Sequence, residues 1–117
     1  MATYFALVTF DLHDTHKKSN AKAIYADVRS RLEKLNLQKT VFSPDRECDI
    51  ELPRNTFVGR FPVEDKFRTS KQLRKYLSEE TRDILRDVYP NATVFVLVGR
   101  GWSWGRRDVK PKKKSAL

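Results

Sequence analysis

Cysteine is almost missing from this chain: Cys48 is the only one in 117 residues. A lone cysteine excludes an intramolecular disulfide and any cysteine-rich zinc site. A free thiol points to a reducing, intracellular setting. Its acidic neighbours Glu47 and Asp49 disfavour the thiolate, which argues against a cysteine nucleophile. Long apolar runs are also lacking. Val94–Val98 is a run of five, far below the roughly 20 residues of a membrane-spanning helix. No basic stretch leads into an apolar one near the N-terminus, as a secretory signal would. The expected location is therefore the cytoplasm, with no membrane partner. Glycine is scarce, at four residues. There is no glycine-rich phosphate loop, no Gly-x-Ser-x-Gly elbow and no His-Glu-x-x-His helix, and no organic cofactor is expected.

What the chain has in excess is positive charge. The net charge is +9, and it is unevenly placed. From Arg100 onward, Arg100, Arg106, Arg107, Lys110, Lys112, Lys113 and Lys114 face only Asp108, which puts +6 there and +3 on residues 1–99. A concentrated basic segment is a footprint for a polyanion, RNA or DNA first. It also serves solubility alone. Within it, Arg100-Gly-Trp-Ser-Trp-Gly-Arg-Arg107 interleaves aromatics with arginines. Trp102 and Trp104 fall on one side of an extended segment. They either stack on bases while the arginines meet phosphates, or pack against the body and anchor the segment.

Hydrophobic periodicity places the elements. Tyr4–Leu12 reads as a strand, with Tyr4, Ala6, Val8 and Phe10 on one face and Phe5, Leu7, Thr9 and Asp11 on the other. Both faces are apolar until Asp11, so both should be covered. A polar loop leads to a helix capped by Ser19 or Asn20 and running to about Asn36, with Ile24, Val28, Leu32 and Leu35 on one side. Gln38–Phe42 is the second strand. Residues 43–54 hold Pro44, Pro53 and four acids, and read as an irregular connection. Asn55–Phe61 is the third strand, where Gly59 marks a bulge or a close backbone approach. A second helix follows from a Ser70 cap to about Val88, and Thr93–Val98 is the fourth strand. Trp102–Val109 is a candidate short fifth strand. Residues 1–109 form one domain, and 110–117 a disordered basic tail.

The order β-α-β-β-α-β predicts an α+β, ferredoxin-like domain: a four-stranded antiparallel sheet with two helices on one face. The other face would leave Phe5, Leu7 and the fourth strand's apolar row in water. A homodimer pairing sheet against sheet removes that exposure. The alternative is that residues beyond 100 fold back over it.

Asp11 ends a central, apolar strand. Two such carboxylates across a two-fold axis could hold one Mg²⁺ or Mn²⁺ against a phosphate. Equally, Asp11 accepts N–H bonds from the turn that follows. His13, Asp14 and His16 add ligand types without a diagnostic spacing. His13 is also a candidate proton shuttle, because neutral imidazole is available near pH 7.

Phe10-Asp11-Leu12, the polar loop, Tyr25-Ala26-Asp27-Val28 and Leu32-Glu33-Lys34 together resemble virulence-associated protein D. Leu37-Gln38-Lys39-Thr40-Val41-Phe42 is similar to the second strand of the small CRISPR-associated adaptation protein, the second in that numbering. The resemblance covers residues 4–62. It implies a dimeric ferredoxin-like fold, with Asp11 as the metal-binding and catalytic residue of an endoribonuclease in a defence or toxin–antitoxin system. The two families between them also include duplex-binding structural subunits. Two functions are therefore expected: a Mg²⁺-dependent endoribonuclease, or a nucleic-acid-binding assembly dimer. A third is a regulator that adds a strand to a protein partner's sheet.

Overall fold

The computed structural model describes residues 3–15, 18–43, 47–64, 66–100 and 109. The candidate fifth strand, the tail, His16, Trp102, Trp104, Arg106, Arg107, Lys110, Lys112, Lys113 and Lys114 lie outside them, Val109 alone excepted.

The first strand, β1 (Thr3–Leu12), alternates as its sequence requires. Tyr4, Ala6, Val8, Phe10 and Leu12 are buried on one face. β4 (Thr56–Pro62) lies antiparallel on one side, from Thr3↔Pro62 to Thr9↔Thr56. β5 (Ala92–Gly99) lies antiparallel on the other, from Phe5↔Gly99 to Leu12↔Ala92. β1 is thus the central strand of a three-stranded sheet ordered β4-β1-β5.

Two helices cover the buried face. α1 (Ala21–Glu33) contributes Val28 and Leu32. α2 (Ser70–Val88) contributes Leu73, Leu77, Thr81 and Leu85. A fully buried leucine contributes about 2 kcal/mol. The caps differ from expectation. Asn20 occupies the α1 N-cap position without a side-chain cap bond. Thr69, not Ser70, caps α2, in a reciprocal box with Gln72. α1 ends three residues before Asn36, which closes it instead. Asn36 is left-handed at φ 64°, and the N–H groups of Asn36 and Leu37 donate back to Glu33 and Leu32. Arg31 then ties the helices together, pairing with Asp27 on its own helix and with Asp87 on α2 at 2.5 Å. Its bonds to Asp87 and then Asp27 raise its pKa.

The expected four-stranded sheet is corrected here. β2 (Thr40–Ser43) pairs with β3 (Cys48–Glu51) in a separate antiparallel hairpin. The supposedly irregular connection holds that extra strand. The hairpin meets the main sheet at one bridge, where Gln38 and Val58 exchange N–H···O bonds of 2.7 and 2.9 Å. Closing a short hairpin is entropically cheaper than pairing β2 along distant β4, and Ile50, buried opposite Val41, rewards it. Lys39 pins the hairpin base by donating to the carbonyls of Leu52 and Pro53. Burial lowers its pKa, opposed by Glu51. Even so, β4 lies next to Gln38, so the path follows the ferredoxin-like order with its second strand peeled away. The domain is α+β, with two helices on one face of an antiparallel sheet.

Candidate functional site

β1 and β5 end side by side, and their shared end carries the sequence-predicted acid. Asp11 stands opposite Thr93. The chain then turns, and three bonds hold the turn. The His13 N–H donates to Asn91 at 2.9 Å, the Tyr89 hydroxyl donates to the His13 carbonyl, and the Thr15 hydroxyl donates to Leu12 at 3.1 Å. Asp14 takes the left-handed conformation, at φ 61°, that lets the chain reverse.

With its backbone fixed, the His13 ring sits between two partners. Nε2 is 2.9 Å from Thr93 Oγ1, and Nδ1 is 3.6 Å from Asp11 Oδ2. The first is a hydrogen bond; the second is an ion-pair distance too long for one. The imidazole therefore has a hydroxyl at one nitrogen and a carboxylate near the other, an arrangement that can orient a proton-transfer group. Within the single chain the Asp11 carboxylate is not desolvated. Its side chain is 75% exposed and that of His13 39%, because Asp11 points from the helix-free face at the sheet's end.

Among the described residues, no three His, Cys, Asp or Glu side chains converge. Mg²⁺ takes near-octahedral oxygen ligands, commonly one or two carboxylates with waters and substrate phosphates. One exposed carboxylate beside an imidazole does not make that set within one chain.

Arg100 is not brought to Asp11. It follows β5 at the opposite end, seven residues beyond Thr93, a distance of about 23 Å along a strand. Its guanidinium lies 5.9 Å from the Tyr4 ring.

The helix-free face matches its expected apolar character. Phe95 and Leu97 are each 58% exposed on β5. Leu7 lies opposite Leu97 and half-buried, with Val58 beyond it.

The structure also assembles a surface that sequence reasoning missed. Along α2, Lys71, Arg74, Lys75, Ser78, Arg82 and Arg86 follow spacings of three, one, three, four and four, which is one helical stripe. They flank the outer edge of β5, which no other strand pairs among the described residues. Lys71, Arg74, Lys75 and Ser78 line a groove of about 440 Å³ whose floor is Val94 and Val96. Arg82 and Arg86 line its continuation, about 240 Å³, with Pro90 and Ala92. The signal was available: the helix's acids, Glu79, Glu80, Asp83 and Asp87, occupy the adjoining face. Reading α2 only for its leucines hid this separation of sign.

No family model matches the chain, and no curated protein matches it. Among solved structures it is similar to a de novo designed protein with a ferredoxin fold, at 19% identity, covering 92% of this chain and 96% of that chain, with a TM-score of 0.37. No helix among the described residues is long and apolar enough to cross a membrane.

Proposed function

We propose that the chain is a nucleic-acid-binding homodimer whose work is binding rather than cleavage. The observation that carries this reading is the distribution of charge. A segment of net +6 begins at Arg100, exposed at the end of β5, in a chain of net +9. Such a segment neutralises phosphates and so releases the counter-ions condensed on a nucleic-acid backbone. Pairing two copies through the Phe95–Leu97 face removes that apolar surface from water and doubles the basic segments on one particle.

A second reading, the Mg²⁺- or Mn²⁺-assisted endoribonuclease implied by the resemblance to virulence-associated protein D, draws on the proximity of Asp11, His13 and Thr93. One experiment separates the two. Labelled RNA and duplex DNA are incubated with wild type and Asp11→Ala, in Mg²⁺ or EDTA. Retention without cleavage is the expected result. Cleavage lost in EDTA and in the Asp11 variant would replace the binding reading with the nuclease. No retention of either nucleic acid would end both.

A further inference from the structure

We infer that the groove between α2 and the outer edge of β5 is a second binding site, for the phosphodiester backbone of a nucleic acid, independent of the basic segment beyond Arg100. This rests on the nucleic-acid reading and locates part of that binding on the folded body.

The first argument is charge without counter-charge. On α1 the arginines are neutralised: Arg29 pairs with Glu33, and Arg31 with Asp27 and Asp87. On α2, Lys71, Arg74, Lys75 and Arg86 make no ion pair among the described residues, and Arg82 meets only the exposed Asp83. Lys71 and Lys75, and again Arg82 and Arg86, stand four residues apart, where like charges repel on a helix. An approaching anion relieves that repulsion.

The second argument is shape. From Lys71 to Arg86 the stripe spans 15 residue steps, about 22 Å at a rise of ~1.5 Å per residue. A strand following a duplex axis places about six phosphates over that length. Five cations and the Ser78 hydroxyl along one helix face, lining two grooves that share Val94, suit a linear array of phosphates better than a single compact anion.

The third argument separates nucleic acid from a lipid surface. A helix that binds a bilayer presents an apolar face to it. The apolar face of α2, with Leu73, Leu77 and Leu85, is already buried against the sheet. The apolar side chains of the groove, Val94 and Val96, are half-buried and belong to the sheet, not to the helix that carries the cations.

The test compares full-length proteins on single-stranded RNA and duplex DNA across a salt series. One variant carries Lys71→Glu, Arg74→Glu and Lys75→Glu. A control makes the same charge change at exposed positions elsewhere, with Lys18→Glu, Lys22→Glu and Lys34→Glu. A third carries Arg106→Gln, Arg107→Gln and Lys112→Gln. The α2 variant should lose affinity on the order of 10-fold or more beyond the control, and its log–log salt slope for single strands should fall by about 2. Combined with the third set, its loss should add. Equal losses in the α2 and control variants would reduce the effect to bulk charge and overturn the site. So would an α2 variant that binds as wild type does, while leaving the nucleic-acid reading intact. A wild type that retains no oligonucleotide overturns both, and capture of phosphatidylserine vesicles in that case would assign the cations to membranes.

Discussion

The backbone carbonyl of Asn36 lies 2.3 Å from where a β-carbon on Gly59 would sit. The left-handed turn that closes α1 is pressed directly onto β4, and the Asn36 amide fastens it by donating to the Arg60 carbonyl at 2.8 Å. Backbone cannot yield as a flexible side chain does. Gly59→Ala should therefore cost about 2 kcal/mol or more, read as a lower urea midpoint.

Thr81 is the opposite case. It is fully buried on α2, and its hydroxyl has no hydrogen-bond partner among the described residues. Replacing an unsatisfied buried hydroxyl by a methyl removes its desolvation cost. Thr81→Val should stabilise the domain by about 1 kcal/mol, seen as a higher melting temperature. A destabilised variant would mean that the hydroxyl has a partner after all.

The Phe95–Leu97 face sets the expected oligomer. Wild type should scatter light as twice its 13.7 kDa chain mass, and Phe95→Lys with Leu97→Lys should return the monomer with unchanged circular dichroism. A monomeric wild type would remove the dimer from the proposed function.

Lys39 should titrate below the ordinary lysine value of 10.5, since burial disfavours its charged form. Between its folded and unfolded pKa values the unfolded chain binds more protons, so stability rises with pH across that interval and is flat below it. A ¹³C-detected titration of the lysine side chains reads the midpoint directly. Lys39→Met should abolish the rise.

Asp11→Ala should change stability by no more than about 0.5 kcal/mol, because an exposed ion pair contributes little. Thermal melts of the two proteins should nearly superimpose.

Elements with strong periodicity were legible before any coordinates: β1 and β5 by their aromatic and branched residues, α1 and α2 by leucines at helical spacing. Gly59 was readable as a close approach, though not that Asn36 is what approaches. β3 was hidden because Cys48-Asp-Ile-Glu51 offers one apolar side chain among acids. A strand that short is specified by its partner β2, not by its own pattern. The same limit applied to Asp11. Its place at a strand end was visible, but its neighbour Thr93 lies 82 residues away and is brought beside it only by pairing. The cations of α2 were all in view. Their meaning depended on which helix face meets β5, and that is a tertiary fact.

The outer edge of β5, unpaired among the described residues, carries a further consequence. Sheets aggregate by adding strands at such edges, and charged side chains alongside are one way proteins prevent it. A second chain arriving at β5 in the same manner would bring its own Lys71, Arg74 and Lys75 against these. The repulsion opposes open-ended growth at that edge, and the proposed stacking through Phe95 and Leu97 would terminate at two. On that proposal, the arrangement of charge on one helix would separate a finite assembly from a fibre.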